Sequence, residues 1–340
     1  MTGTASGEKA ARDSRRARFM RYLARRLAQA ALTVLAIVVL SFVIILAAPG
    51  DAVDVLAGEF GAASPEYLVE LRQAYGLDQP LPVQLWRYVI NVLQLDLGFS
   101  HRNNMGVTAL ILTRLPATLI LMLASVVMSF LIGALLGIIA ARKANTATDN
   151  VISVLALLFY ATPLFWFGLM AIVLFSVKLQ WLPGNGMSTI GVEMGALAAT
   201  LDVARHLVLP ATTLGLFHVA VYTRLMRASM LEIYGLDYIR TARAKGLTPR
   251  RIAWRHVLPN AALPMVTMLG LQMGSMLGGA VLVETVFGWP GLGRLAFDAI
   301  LQRDHNLLLG ILLMSSALVV IANLITDLAY LALDPRIEVG

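Results

Sequence analysis

Residues 27–48 form an uninterrupted apolar stretch, LAQAALTVLAIVVLSFVIILAA, which contains no charged side chain. The hydrocarbon core of a bilayer is about 30 Å thick, so a helix rising about 1.5 Å per residue needs about 20 apolar residues to cross it. Further stretches of this length follow, and 58% of the 340 residues are hydrophobic while only 14% are charged. Soluble domains are typically about 25% charged. The sequence therefore predicts an all-α membrane protein with several spans.

The apolar stretches predict six transmembrane helices. They are expected at residues 27–48 and at about 116–141, 151–177, 207–229, 262–286 and 307–331. The long connection at residues 49–115 carries two amphipathic stretches, near 67–75 and 85–93, which predict a small helical cap. A packed loop without a ligand of its own is the alternative to a docking or gating surface there.

The basic residues are unevenly distributed between the two sides of this topology. Residues 1–26 hold eight Lys or Arg, and their side of the membrane holds 19 of the 27 in the chain. Because basic residues accumulate in cytoplasmic loops, we expect the N-terminus, the 232–260 loop and the 332–340 tail in the cytoplasm. The basic residues flank the spans and form no single stripe. Membrane lipids and a cytoplasmic protein, not nucleic acid, are therefore the expected counterparts.

Sequence signatures of catalysis are missing. The chain has no Gly-Lys dipeptide and hence no P-loop, no His-Glu-x-x-His motif and no Gly-x-Ser-x-Gly motif. It also has no cysteine, which excludes thiolate ligands and a cysteine nucleophile. We therefore expect no catalytic residue, no metal site and no cofactor bound by this chain.

Charged residues in the spans are few, and they lie near span ends: Arg224, Glu284 and Asp327. Because a charge at the bilayer centre costs roughly 2.5–3.5 kcal/mol, such residues are functional candidates. Glu284 precedes TVFGWPGLG, whose glycines and proline must interrupt the helix. We predict that the outer mouth of a pathway is lined by Glu284, Trp289, Pro290 and Gly291. The alternative for Glu284 is a hydrogen-bonded residue at the water interface.

Glycines recur at four-residue spacing in two of the spans. They are Gly133 and Gly137 in one, and Gly270, Gly274 and Gly278 in the other. Helix backbones approach closely where side chains are absent, and in lipid this packing favours helix association. The spacing predicts tight helix contacts, within the chain or with a second subunit.

The segment TARAKGLTPRRIAWRHVLPNA, residues 241–261, is strongly basic and lies between two spans. Gly246 can adopt the left-handed conformation that ends a helix. Thr248 suits the N-cap of a second helix, and Pro249 suits its first position. The sequence therefore predicts two short helices that meet at a tight cytoplasmic bend.

Two arginines stand where the helix dipole disfavours them. Arg250 and Arg251 fall in the first turn of the second short helix, where each cation is unfavourable by about 0.3–1 kcal/mol. Local rules are most often broken at functional sites, so this choice indicates an external partner. The alternative is that these charges only enforce the membrane topology.

This bend resembles the cytoplasmic loop of bacterial ABC importer permeases, whose pattern is Glu-Ala-Ala, three residues, Gly, nine residues and Ile-x-Leu-Pro. The residues that match are Ala242, Gly246, Leu258 and Pro259, and those that depart are Arg240, Thr241 and His256. The dipeptide/oligopeptide/nickel subfamily has TARAKG at this place. GLDQPLPVQLWRYV, LDLGFS, DYIRTARAKGL, WRHVLPNAALPMV, VLVETVFGWPGLGRLAFDAI and LDPRI are similar to the first permease subunit of that subfamily. The resemblance runs from about residue 20 to 337.

The resemblance implies a type I ABC importer permease fold and a function as one part of a larger assembly. In this family the bend is a coupling helix seated in a groove of a separate ATPase subunit. The residues expected at that contact are Arg240, Ala242, Arg243, Lys245, Gly246, Leu247, Arg250, Arg251, Leu258 and Pro259. Ala242 would provide a close fit and the cations would provide charge contacts. The implied partners are two ATPase subunits that bind ATP and Mg, a second homologous permease, and an extracytoplasmic substrate-binding protein facing the cap.

The resemblance further implies ATP-driven import of short peptides into the cytoplasm. Nickel complexes or other small solutes are alternatives within the same architecture, because the binding protein does most of the substrate selection. Alternatives from other classes are an ion-coupled secondary transporter, a membrane-embedded enzyme and a scaffold without a pore. A carrier of the first kind normally has carboxylates at mid-membrane, which are scarce here.

Overall fold

The structure is a computed structural model, and it describes residues 3–47, 73, 78–100 and 102–333. These residues are predominantly helical, which confirms the predicted class. The helices are α1 (Gly3–Ala47), α2 (Leu81–Leu93), α3 (Val107–Arg142), α4 (Ala147–Ala161), α5 (Leu164–Ala171), α6 (Ala196–Tyr234), α7 (Asp237–Ala244), α8 (Pro249–Ile252), α9 (Leu258–Ala261), α10 (Leu263–Val286), α11 (Leu292–Gln302) and α12 (His305–Leu333). Strands β1 (Phe99–Ser100) and β2 (Met105–Gly106) form an antiparallel hairpin, and π-helical segments occupy Ile172–Lys178 and Ala253–Val257.

Five helical segments among the described residues are long and apolar enough to cross a membrane. They are Leu23–Ile44, Val107–Arg142, Ala196–Tyr234, Pro249–Val286 and His305–Leu328. A sixth span is counted only if the pair Ala147–Ala161 and Leu164–Lys178, which is bent by 102°, crosses as one. The six-span count therefore stays a prediction.

Residues 151–177, predicted as one span, do not form a continuous helix. Thr162 is extended and Pro163 precedes the first residue of α5. Proline has no N–H to continue the hydrogen-bond ladder, and it disfavours the helical conformation of the residue before it. The apolar pattern continues through this break, so hydrophobicity alone did not reveal it.

Several boundaries also differ from the prediction. α3 begins at Val107, so the predicted 49–115 connection is shorter than expected. The second amphipathic stretch is confirmed as α2, whereas the first one, near residues 67–75, lies almost wholly outside the described residues. The β1–β2 hairpin was not predicted, because strands of two residues are too short to show an alternating pattern.

The chain divides into two compact units, of which the first comprises residues 1–111, 299–320 and 339–340. Within it, α1 packs against α2, and the Phe42 and Tyr88 rings lie 5.8 Å apart. Ser100 of β1 donates a hydrogen bond to the Asp304 carboxylate. Asp304 also accepts from the backbone N–H of Leu307 at 3.1 Å, so it caps the start of α12 and ties the hairpin to it.

The second unit comprises residues 112–298 and 321–338 and contains two buried clusters. One cluster is centred on Leu214, Phe287 and Trp289. The other joins Tyr222 and Met226 of α6 to the apolar residues of the basic bend. This second cluster is what holds the bend against the helix bundle.

Glycines allow two of the helix contacts in the second unit. A Cβ at Gly133 would lie 2.5 Å from the Cβ of Tyr222, and one at Gly137 would lie 2.6 Å from the Cβ of Met226. A Cβ at Gly270 would lie 3.0 Å from the Thr326 side chain. The predicted close packing is therefore present at these three glycines.

The other two glycines of the α10 row behave differently. Gly274 and Gly278 are exposed, and a Cβ at Gly278 would meet no atom within 4 Å. Their predicted packing is therefore not made within the described chain. This face of α10 is free for contact with another molecule.

Candidate functional site

The basic bend has the backbone geometry that its sequence predicts. Gly246 has a φ of +74°, which is the left-handed conformation. The N–H of Gly246 donates to the Arg243 carbonyl at 2.9 Å, and the N–H of Leu247 donates to the Ala242 carbonyl at 3.3 Å. This pair of bonds is the Schellman motif, which satisfies carbonyls at the end of α7. These bonds hold the backbone at the end of α7 in one conformation.

The start of the second short helix is equally well determined. The Thr248 hydroxyl accepts a hydrogen bond from the Arg251 N–H at 3.3 Å, and Pro249 opens α8. Both predicted cap positions are confirmed. Only Leu247 therefore lies between Gly246, which ends α7, and Thr248, which caps α8. We call residues 237–261 the elbow.

The apolar side chains of the elbow are buried against the bundle. Ile239, Ile252 and Val257 are each at most 2% exposed. They belong to the cluster that contains Tyr222 and Met226 of α6. Apolar burial of this kind contributes roughly 25 cal/mol per Å². The elbow is therefore anchored to the spans by packing and is not a loose loop.

The cations of the elbow face away from this core. All of them are exposed: Arg240, Arg243, Lys245, Arg250, Arg251 and Arg255. Thr248, Arg250, Arg251 and Trp254 line a shallow cup of about 360 Å³. Trp254 is 56% exposed and borders this cup. Sequence reasoning missed Trp254, although an aromatic residue inside a basic segment was a usable signal.

The predicted role of Ala242 needs correction. Its side chain is 7% exposed and packs in the chain's own cluster, so it cannot supply a close fit to a separate subunit. Leu247 and Leu258 are half-buried against the same cluster, while Pro259 is exposed. The surface that the elbow offers to a partner includes its cations, Trp254 and Tyr238.

An ion pair near the elbow also escaped the sequence reasoning. The Arg227 guanidinium donates to both oxygens of Asp149, at 2.6 and 2.7 Å. Asp149 is 2% exposed and also accepts from the Asn145 N–H at 2.9 Å. This bidentate pair connects the first turn of α4 to α6, and the Asn145 N–H adds the turn after α3.

Glu284 is the centre of a second, fully buried polar cluster. Thr118 donates its hydroxyl proton to one carboxylate oxygen at 2.7 Å, and the Arg294 N–H donates to the other at 3.0 Å. The Thr118 hydroxyl in turn accepts from the Leu292 N–H at 2.7 Å. Glu284 therefore binds the start of α11, where a carboxylate is favoured by the helix dipole.

The residues that follow Glu284 pack closely against this cluster. Trp289 is 0% exposed, and its indole N–H donates to the Ala117 carbonyl at 2.8 Å. A Cβ on Gly291 would overlap the Glu284 carboxylate. Gly288 has a φ of +60°, and its carbonyl accepts from the Arg294 guanidinium at 2.6 Å.

This burial does not match the prediction that the four residues line an outer mouth. Glu284, Trp289 and Gly291 are buried, and Pro290 is half-buried. The alternative, a hydrogen-bonded carboxylate, agrees with the donors seen here, Thr118 and the Arg294 N–H, whereas its position at the water interface stays a prediction. The physical reason is that the first N–H groups of α11 have no partner within the helix and can donate hydrogen bonds to a carboxylate.

Two sequence models of known families match the chain. The model described as binding-protein-dependent transport system inner membrane component matches residues 133–339. The model of the N-terminal part of binding-protein-dependent transport system membrane components matches residues 19–122. Only residues 1–18, 123–132 and 340 lie outside the two matches, so the matches extend over most of the chain.

Individual proteins are similar over nearly their whole length. The di/tripeptide transport system permease protein DppB of Pseudomonas aeruginosa is 40% identical, over 93% of this chain and 98% of its own. The oligopeptide permease AppB of Bacillus subtilis is 40% identical, over 93% and 99%. The dipeptide permease DppB of Escherichia coli K12 is 38% identical, over 94% and 99%. Among solved structures, the inward-facing MetNI methionine ABC transporter matches with a TM-score of 0.54 at 19% identity, over 66% of this chain and 96% of that chain.

Proposed function

This chain belongs to the family of binding-protein-dependent transport system inner membrane components, and from that membership we propose that it carries short peptides into the cytoplasm as one permease subunit of an ATP-driven importer. It has the type I ABC importer permease fold that the sequence predicts. It is a multi-pass inner membrane protein of ABC transport. The substrate class is proposed from the di/tripeptide, oligopeptide and dipeptide permeases that are about 40% identical to it.

The observation that carries this proposal is the anchored, cationic elbow. Its backbone bend is fixed at Gly246, its apolar face is packed on α6, and its charges face outward. An ATPase subunit that moves the elbow therefore also moves the spans to which it is packed. In this proposal two ATPase subunits bind ATP and Mg, and this chain binds neither.

The remaining partners are proposed from other surfaces of the chain. A second homologous permease would pack on the exposed Gly274 and Gly278 face of α10, where its backbone can approach closely. A substrate-binding protein would dock on the outer side, at the connection that includes α2. Both termini and the elbow would lie in the cytoplasm, in line with the excess of Lys and Arg on that side.

Other solutes remain candidates within the same architecture. Nickel complexes or other small molecules would use the same elbow, since it contacts the ATPase and not the solute. An ion-coupled carrier is less well supported, because the buried carboxylate of Glu284 is already bound by Thr118 and the Arg294 N–H. A catalytic role has no support in the motifs of the sequence.

The test is uptake by the complete importer in proteoliposomes. We expect labelled tripeptide to accumulate only when binding protein is outside, ATP is inside and both ATPase subunits are present. Uptake by this chain without ATPases would establish an ion-coupled carrier. Uptake of a nickel complex but of no peptide would replace the proposed substrate class and leave the ABC mechanism intact.

A further inference from the structure

Arg224 is a cation of α6 that belongs neither to the elbow nor to the Glu284 cluster. Its side chain is exposed on the chain. Among the described residues, no ion pair involves it. Its guanidinium carbon instead lies 4.8 Å from the ring centre of Tyr160 on α4, as a cation–π contact. The Tyr160 ring stacks on Phe217 of α6, with ring centres 4.8 Å apart and planes 19° apart.

The depth of this contact follows from the Asp149–Arg227 ion pair. That pair marks the end of α4 and α6 that is nearest the elbow. Tyr160 lies eleven residues further along α4 than Asp149, which corresponds to roughly 16 Å at 1.5 Å per residue. The Arg224 guanidinium is therefore directed toward the interior of the span. An arginine without a function inside the span normally extends its side chain toward the lipid headgroups, which is the opposite direction.

A lipid-facing position cannot explain this arrangement. An unpaired guanidinium in hydrocarbon is costly, and intramembrane charges almost always face a bundle interior or a water-filled cavity. One aromatic ring offsets only part of that cost. The face of α6 and α4 that carries Arg224, Tyr160 and Phe217 therefore meets a polar environment in the assembled protein.

The residue after Phe217 on α6 makes a polar contact with α10. His218, next to Phe217 on α6, is 3% exposed, and its Nε2 lies 3.5 Å from the Ser275 hydroxyl of α10. Ser275 also contacts the Gln272 side-chain oxygen at 2.9 Å. Polar side chains of α10 thus reach α6 one residue from Phe217.

We propose that Arg224 binds the C-terminal carboxylate of a peptide in transit, with the Tyr160–Phe217 ring pair beside it. This inference rests on the proposed function, import of short peptides. A planar guanidinium matches a carboxylate with two parallel hydrogen bonds, and a free peptide terminus supplies that carboxylate. The exposed ring of Tyr160 supplies a surface for the peptide's apolar part. Arg224 is a binding residue of the pathway and has no role in ATP hydrolysis.

The test compares two probes in the reconstituted importer, trialanine with a free C-terminal acid and trialanine C-terminal amide. The wild-type importer is expected to take up the acid faster. Arg224→Gln should lower uptake of the acid by about tenfold, the effect of losing one charge-assisted contact, and leave uptake of the amide unchanged. Because the same binding protein delivers both probes to every variant, differences between variants report on the permease.

The matched control is Arg227→Gln, which removes a cation one helical turn away and breaks the pair with Asp149. It should lower uptake of both probes equally. Should Arg224→Gln not reach the membrane, Tyr160→Leu decides, because it removes the ring that holds the guanidinium. We expect it to lower uptake of the acid more than uptake of the amide.

Three outcomes overturn the inference. Equal uptake of the two probes by the wild type, or unchanged acid uptake in Arg224→Gln, removes Arg224 from the pathway. An equal loss of both probes in Arg224→Gln, together with loss of the co-purifying second permease, assigns Arg224 to a subunit contact. If the wild type takes up neither peptide, the proposed substrate class itself fails, and this inference fails with it.

Discussion

Gly246 is the residue on which the geometry of the elbow depends. Its positive φ of +74° allows the chain to turn between α7 and the Thr248 N-cap. A β-branched residue in this conformation is strained by about 1–3 kcal/mol. The strain would be relieved by opening the bend, which also releases the hydrogen bonds of Gly246 and Leu247.

We predict that Gly246→Val lowers ATP-dependent uptake at least about tenfold, because the elbow loses the shape that joins it to its partner. Membrane insertion and binding-protein docking should be unchanged. Gly246→Asn is the control, since asparagine tolerates the left-handed conformation and should retain most uptake. Wild-type uptake by Gly246→Val would show that the bend does not transmit the work of ATP hydrolysis.

At the residue scale, the sequence could predict features that depend on near neighbours. Gly246, Thr248 and Pro249 were identified because a helix cap is determined within a few residues. Thr118 and Glu284 are 166 residues apart in the chain, and Asp149 and Arg227 are 78 apart. No local pattern carries such pairings, so the partners of these charges emerged only from the structure.

The break between α10 and α11 is an element that one carboxylate holds in shape. Glu284 binds Thr118 of α3 and the Arg294 N–H of α11, while Trp289 reaches the Ala117 carbonyl. Three helices of the second unit therefore meet at this buried cluster. Its strength depends on every donor being present, because an unpaired buried carboxylate is strongly unfavourable.

Thr118→Val tests this dependence with almost no change in shape. The substitution removes a donor to Glu284 and an acceptor for the Leu292 N–H, and we expect a destabilisation of about 1–3 kcal/mol. Thermal unfolding of the purified protein in detergent measures it as a lower midpoint. Thr212→Val is the control, since that hydroxyl bonds only to carbonyls of its own helix. Equal midpoints for Thr118→Val and wild type would mean that the cluster contributes little.

The bent pair α4–α5 shows the limit of prediction at the element scale. The apolar pattern of residues 151–177 is continuous and predicts one span, yet the axis turns by 102° at Pro163. Hydrophobicity reports where a segment can be buried and does not report its direction. Proline was the available signal, and within an apolar run it indicates a kink or an end without deciding between them.

At the scale of the whole molecule, the chain is one part of a proposed assembly. Six of the exposed cations in the described residues lie on the elbow, while the exposed glycine face of α10 and the Arg224 region lie elsewhere in the second unit. The family and the type I fold could be predicted from sequence because extended motifs carry them. The arrangement of buried charges could not.

We expect the double variant Arg250→Glu and Arg251→Glu to reduce the ATPase that co-purifies with the permease by about tenfold or more. Like charges placed across an interface cost several kcal/mol. The control is the double variant Arg87→Glu and Arg114→Glu, which makes the same charge change at exposed residues of the predicted outer side. Undiminished ATPase in the first variant would return Arg250 and Arg251 to a role in membrane topology.

The hydrogen-bonded bend at Gly246 has a mechanical consequence. A bend that is held by hydrogen bonds on both sides does not flex, so a small displacement of the elbow would be passed in full to the helices on which it packs. The Schellman bonds before the bend and the Thr248 cap after it hold this bend. A rigid bend passes on the direction of a movement as well as its size. The size of the movement would then be limited by how far the packed helices can slide against each other.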